Sequence, residues 1–329
     1  MTNHINIGVL GAGTWGIALA RLLQNAGHNV TVWSAIDREI DYLTENGHHP
    51  NFPDTPLPEQ LTYTKDIESA CVGKDMLVFA VPSPYVRATA RRAAPYVSSD
   101  QIVVDVAKGI EEHTFCTMSE IIADELHNPE IRIVALSGPT HAEEVIKDLP
   151  TAIVSACSDM HAAKYVQSVF NTDFFRVYTS DDIRGVELCG ALKNVIAVAC
   201  GIARGIGCGD NAKAALITLG MSEISCLGSA MGCRVQTFSG LTGIGDLIVT
   251  ATSMHSRNYR CGILLGQGVP LEEALLQVGM VVEGINTLPA AIMLAKKYNV
   301  HMPIIETVQA VASETIDESE IIRLLMPVD

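Results

Sequence analysis

The sequence predicts a two-domain α/β protein: an N-terminal Rossmann-like domain on a doubly wound, mostly parallel sheet, followed by an all-α C-terminal domain. Three observations carry this. Through residues 1–180 short β-rich runs alternate with helical stretches, the pattern of βαβ units. A glycine-rich turn, Gly11-Ala12-Gly13-Thr14-Trp15-Gly16, stands between the first such run and the first helical stretch. From Ile183 onward apolar residues keep helical spacing and β-branched runs become scarce. The boundary therefore falls near Ser180, with a dinucleotide-binding domain over 1–180 and a substrate and catalytic domain over 181–329.

Strands are expected at Ile5–Leu10, Val30–Trp33, Met76–Val81, Ile102–Val106, Ile133–Leu136, Ala152–Ala156 and Phe174–Val177. Helices are expected between them at Trp15–Ala26, Arg38–Glu45, Tyr85–Ala94, Met118–Leu126, Ala142–Lys147 and Ala162–Phe170. The proline-rich stretch His49–Pro58 reads as an irregular excursion. In the second half the glycine clusters Gly205–Gly209, Gly240–Gly245 and Gly262–Gly268 read as helix ends and turns.

Composition narrows the function. The chain has 329 residues, 48% of them hydrophobic, with 22 Lys and Arg against 37 Asp and Glu, a net charge of −15. That acidity argues against a nucleic-acid or anionic-membrane surface, which needs clustered cations, but leaves room for a small anion held locally. Nine cysteines form no C-x-x-C pair and read as reduced, buried thiols of a cytoplasmic protein. Ten histidines include no H-E-x-x-H spacing, so no metal is expected. The N-terminus lacks the basic start of an export signal, and no charge-free apolar run approaches the ~20 residues of a membrane span.

Lys193 is the only charged residue in the run Leu188–Ala203. A lysine in such a segment either snorkels to water or is buried for a purpose. Desolvation and neighbouring cations lower an amine's pKa, which makes it useful as an acid or base near neutrality.

In the glycine turn, Gly11 permits a tight bend, Gly13 lets the backbone approach a pyrophosphate, and Gly16 allows close helix–strand packing. The pyrophosphate would rest on the N-terminus of the helix opening at Thr14 and Trp15. After the second strand, register places Ser34 where an acid selects NAD; its absence permits NADP, yet Ala35 supplies no phosphate-binding cation unless Arg38 reaches in. Val81-Pro82-Ser83 and Ala107-Lys108-Gly109 follow strands, at the carboxyl edge where open α/β sheets bind ligands. Ser137-Gly138-Pro139-Thr140 ends another strand and opens a helix, offering amides and a hydroxyl to an anion. Farther on, Asp246 stands in the glycine turn GLTGIGDL, suited to pairing with a buried lysine; Thr250 and then Ser256-Arg257-Asn258 follow, the last a planar guanidinium with hydroxyl and amide, a clamp for phosphate.

On GAGTWG (11–16), AKG (107–109), SGPTHAEE (137–144), GALKNVIA (190–197), GLTGIGDL (240–247), SRN (256–258), GQG (266–268) and VVEG (281–284), the chain resembles bacterial-type NAD(P)-dependent glycerol-3-phosphate dehydrogenase over essentially its whole length. The resemblance implies reversible hydride transfer between NAD(P)H and C2 of dihydroxyacetone phosphate, giving sn-glycerol 3-phosphate for glycerophospholipid synthesis. It implies Lys193 as the residue exchanging a proton with the C2 oxygen, Lys108 contacting substrate and cofactor, and Asp246 orienting Lys193. Gly138, Thr140, Asn194, Thr250, Ser256, Arg257 and Asn258 complete the implied substrate site. Trp15, Pro82, Ala142, Arg257, Val281 and Glu283, with Gly11, Gly13, Thr14, Gly16, Ser34 and Lys108, are the implied cofactor contacts. No metal is required, and a homodimer is a family-level expectation.

Two residues depart from the family pattern. Ala35 replaces a usual arginine or histidine, which weakens NADP and leaves NAD open, and Leu219 in ITLG replaces a common arginine. A dehydrogenase of 3-hydroxy acids would share the turn and a catalytic lysine but not the paired GLTGIGDL and SRN; a non-catalytic dinucleotide sensor would be expected to lose Lys193, Asp246 or SRN.

Overall fold

The computed structural model describes residues 4–316 together with 320, 321 and 323. It divides into two compact units: one runs to Ala107 and resumes over Met118–Ile183, and the other comprises Lys108–Thr117 and the chain from Arg184 onward. A single boundary near Ser180 does not anticipate the ten-residue excursion that carries Lys108 into the helical unit; both expected domains also extend into residues outside those described.

The first unit is built from β1 (Asn6–Leu10), α1 (Thr14–Asn25), β2 (Asn29–Trp33), α2 (Asp37–Asn46), β3 (Thr62–Thr64), α3 (Ile67–Cys71), β4 (Met76–Phe79) and α4 (Val86–Ala93). It continues with β5 (Ile102–Asp105), α5 (Met118–Leu126), β6 (Arg132–Ser137), α6 (Ala142–Val145), β7 (Thr151–Ala156), α7 (Met160–Phe170) and β8 (Phe175–Ser180). The eight strands are ordered β3-β2-β1-β4-β5-β6-β7-β8, parallel throughout except between β6 and β7. Helices cover both faces of such a sheet, so central strands are apolar at successive positions: all four residues of β4 are fully buried. This is the Rossmann-like architecture expected. β3 and α3 escape the sequence pattern because three and five residues are too few to show a period. β3 is polar, as its edge position allows, and α3 is held by the Asp66 carboxylate accepting from the backbone of Glu68 and Ser69.

The second unit is helical: α8 (Ile183–Ile206), α9 (Asp210–Ala230), α10 (Val235–Phe238), a π-helical turn Leu241–Gly245, α11 (Asp246–Thr252), α12 (Arg257–Gly266), α13 (Leu271–Val278), α14 (Glu283–Tyr298) and α15 (Pro303–Ala312). α8 is its axis, buried at every position from Gly185 to Ala203. By length and mean hydropathy (1.6) it could cross a membrane, but its whole apolar window is buried inside the protein.

Two glycine clusters do something other than end helices. Gly205 lies in α8, and Gly262 and Gly266 lie within α12. A Cβ on Gly201 would fall 2.3 Å from the Tyr259 carbonyl oxygen, and one on Gly262 would fall 2.1 Å from that of Val198. Pairs of glycines four apart thus let α8 and α12 cross backbone to backbone, a reason turn chemistry alone does not supply.

α15 begins after Met302, which has no capping oxygen. Its cap comes from α9 instead: buried Glu223 accepts from the backbone N–H of Ile304 at 2.7 Å and of Ile305 at 3.4 Å. Burial raises the Glu223 pKa from 4.5 to about 7, against the two backbone donors. Between those two values the folded state holds a proton that the unfolded state has released, so this group's contribution to stability falls as pH rises through the window. Glu223→Gln keeps an acceptor for Ile304 without a charge to bury. Urea denaturation should find the variant similar to the parent at pH 5 and more stable by on the order of 1–3 kcal/mol at pH 8; a pH-independent difference would refute the account.

Candidate active site

In the first unit the strand order reverses between β1 and β4, which opens a crevice at their carboxyl ends. Gly11 has φ +129°, and a Cβ there would lie 2.6 Å from the Ala80 carbonyl oxygen, so only glycine fits. A Cβ on Gly16 would meet the Gly11 oxygen at 2.1 Å, the close helix–strand contact expected of the third glycine. Gly13 is exposed, with nothing within 4 Å of where its Cβ would be, and it precedes α1 without a side-chain cap. With no side-chain cap ahead of it, α1 leaves its first N–H groups, at Thr14 and Trp15, as a cradle that fits a pyrophosphate.

Around this edge lie the other first-unit residues singled out by sequence. Pro82 heads the 3-10 turn Ser83–Tyr85. Ser34 is buried; its hydroxyl donates to Glu39 Oε2 at 2.6 Å and accepts from the Ile36 N–H at 3.1 Å. Glu39 was not anticipated from the sequence. Gly138 and Thr140 follow β6, with the Thr140 hydroxyl donating to the Gly138 carbonyl at 3.1 Å, and Ala142 opens the single turn α6.

The second unit assembles the ionic groups. The Asp105 carboxylate, at the end of β5, accepts from the Ala107 N–H at 3.1 Å and so shapes the turn ahead of Lys108. Asp246, fully buried at the start of α11, accepts from Lys193 Nζ on Oδ1 and from Lys108 Nζ on Oδ2, both at 2.6 Å. Thr250, one turn along α11, accepts from Lys193 Nζ at 2.5 Å while its own hydroxyl donates to the Asp246 carbonyl at 2.6 Å. One carboxylate thus serves two ammonium groups. The Lys193 pKa is lowered to about 7, chiefly by burial; Asp246 opposes the shift and Lys108 adds to it.

A second polar chain runs beside the first. The Gly284 N–H, in the first turn of α14, donates to Asn258 Oδ1 at 2.8 Å. Asn258 Nδ2 donates to Asn194 Oδ1 at 2.9 Å, and Asn194 Nδ2 donates to the Gly190 carbonyl at 3.1 Å. Both carboxamides are buried, and their polarity is fixed at each end by a backbone donor and a backbone acceptor. Because Val282 offers no capping oxygen, Asn258 caps α14 from α12. Asn194, Asn258 and Gly284 directly follow Lys193, Arg257 and Glu283. Ser256 is the N-cap of α12, its hydroxyl accepting from the Tyr259 N–H at 3.2 Å, and Arg257 begins that helix. Val281 lies just ahead of α14.

The structure therefore joins Lys108, Lys193, Asp246 and Thr250 in one cluster and ties Asn194 to Asn258, while the glycine turn, Ser34, Pro82, Gly138, Thr140 and Ala142 belong to the other unit. Among the described residues no group of three or more His, Cys, Asp or Glu is placed to hold a metal ion.

The family model for the N-terminus of NAD-dependent glycerol-3-phosphate dehydrogenase matches residues 6–163, and that for its C-terminus matches 182–323. A glycerol-3-phosphate dehydrogenase [NAD(P)+] 2 of Lactobacillus delbrueckii subsp. bulgaricus is 56% identical, over 97% of this chain and 96% of the relative. The chain belongs to this family. A glycerol-3-phosphate dehydrogenase [NAD(P)+] of Fusobacterium nucleatum is 51% identical, over 98% of this chain and 96% of that one. The crystal structure of glycerol-3-phosphate dehydrogenase from Coxiella burnetii superposes with a TM-score of 0.94 at 34% identity, covering 99% of both chains. At 16% identity and TM-score 0.63, a PanE/ApbA family ketopantoate reductase from Ralstonia eutropha shares the fold alone.

Asn258→Ala would strand the Gly284 N–H and Asn194 Oδ1 in a buried setting, so it should cost about 1–3 kcal/mol in urea denaturation. Asn194→Ala should cost less when made on top of it than alone; strictly additive losses would show that the two carboxamides act separately.

Proposed function

We propose that this chain catalyses the reversible reduction of dihydroxyacetone phosphate to sn-glycerol 3-phosphate with NADH or NADPH, supplying glycerophospholipid synthesis from the cytoplasm. The observation that carries the proposal is the Lys108–Asp246–Lys193 cluster in a chain of the glycerol-3-phosphate dehydrogenase family. The first unit is the dinucleotide-binding domain and the second carries the catalytic groups. A soluble homodimer is the family-level expectation.

The bound reduced nicotinamide supplies the hydride that C2 of the ketone accepts. Of the three N–H bonds of the Lys193 ammonium, Asp246 and Thr250 take two, which leaves one for the ketone oxygen. As hydride arrives at C2 the oxygen gains negative charge and takes a proton from Lys193; in the reverse direction neutral Lys193 removes that proton. Lys108 stabilises the developing charge, and Asp246 holds both amines where they act. Arg257 clamps the phosphate with its planar guanidinium. Ser256 lines the substrate, with Asn194 and Asn258 beside the reacting groups. The substrate is a small phosphate ester, and neither nucleic acid nor membrane is a partner.

The direct test is oxidation of NADH and of NADPH in the presence of dihydroxyacetone phosphate, beside unphosphorylated dihydroxyacetone. Turnover confined to the phosphate ester is expected; turnover with neither ketone would sink the proposal. Lys193→Ala should abolish turnover with nucleotide binding kept. Arg257→Ala should raise KM for the phosphorylated ketone by ~10-fold or more, and an unchanged KM would remove the clamp. With Lys193 titrating at about 7, kcat for ketone reduction should fall as pH rises through that value, and kcat for alcohol oxidation should rise. Parallel profiles in the two directions would take Lys193 out of proton transfer.

A further inference from the structure

We infer that Glu39 makes this chain an NADH enzyme, discriminating against NADPH at the end of β2. The inference rests on the dinucleotide reading proposed above and extends it to the choice of cofactor. In a Rossmann frame the adenosine ribose lies beside the residue just after the second strand, where an acid binds the 2′-hydroxyl or an arginine takes the 2′-phosphate. Here that residue is Ser34, which carries no charge, so the sequence alone leaves the choice open.

The structure supplies the missing acid from another position. Ser34 is 4% exposed, and its hydroxyl is fixed by two bonds, accepting from Ile36 N–H and donating to Glu39 Oε2 at 2.6 Å. The carboxylate is thereby anchored against the strand end, half-buried, in the first turn of α2, where the helix N-terminus favours an anion. Glu39 Oε1 has no partner among the described residues and can accept from a ribose hydroxyl.

The cations nearby do not offset it. Ala35 offers none, and Arg38 is exposed and flanked by Asp37 and Glu39. Lys65 is ion-paired with Asp41 at 2.6 Å, and the Arg92 guanidinium stacks on the Trp33 ring at 4.9 Å. A 2′-phosphate would bring nearly two further negative charges to this anchored carboxylate, whereas a 2′-hydroxyl would donate to it. The family's tolerance of both cofactors is resolved here by a residue six positions beyond the strand.

The test is equilibrium titration of the intact protein with NADH and with NADPH, followed by nicotinamide fluorescence, for the parent, Glu39→Gln and the double variant Glu39→Gln/Ala35→Arg. The parent should bind NADH at least ~10-fold more tightly than NADPH. Glu39→Gln should narrow that ratio by ~5-fold or more, chiefly through tighter NADPH, and the double variant should reverse it. Thermal melts of each variant verify that the fold is kept; Ser34→Ala, which releases the carboxylate but keeps its charge, should narrow the ratio less than Glu39→Gln. Equal or tighter NADPH binding by the parent, or a ratio unmoved in Glu39→Gln, overturns the inference, as does failure to bind either nucleotide. Because binding needs no ketone, tight NADH binding without turnover of dihydroxyacetone phosphate would refute the proposed reaction while leaving the cofactor assignment standing.

Discussion

Asp246 is the group on which the site depends. A carboxylate with no solvent exposure is costly to hold unless its oxygens are matched by charge and hydrogen bonds, and here each oxygen takes one lysine. One carboxylate accepts from two amines, and burial lowers the Lys193 pKa to about 7. The excursion Lys108–Thr117 matters for the same reason, since it places both amines and their carboxylate within one compact unit.

The helical scaffold holds this cluster by close backbone approach rather than by large side chains. Glycines let α12 lie directly on α8, with Asn258 at the start of one helix bonded to Asn194 on the other. Remote capping serves a similar end twice. Helices whose own preceding residues, Met302 and Val282, cannot cap them borrow Glu223 and Asn258 from neighbouring helices, so each cap is also a tertiary tie.

Much of this was legible in the residues because the relevant signals are local. Strand and helix periods placed seven of the eight strands, and the glycine turn stands in the strand–helix frame expected of it. Lys193 stood out as a lone charge in an apolar run, and its partner was found because an aspartate in a glycine-rich apolar stretch needs one. What sequence could not show was set by distance along the chain. β3 and α3 are too short to display a period, and Gly262 and Gly266 look like turn glycines until their partners on α8 are seen. Glu39 carries no signal of its own in the sequence, because the hydroxyl that anchors it lies five residues earlier, at Ser34.

The amide chain from Gly284 to Gly190 has a further consequence, for chemical ageing. Donors and acceptors alternate along it, so each carboxamide supplies both a nitrogen and an oxygen. An aspartate at either position would present oxygens only, setting acceptor against acceptor in a buried site. Loss of a single amide nitrogen, with almost no change in shape, would therefore break the tie from α12 to α8 at Asn258 and the tie to the Gly190 carbonyl at Asn194.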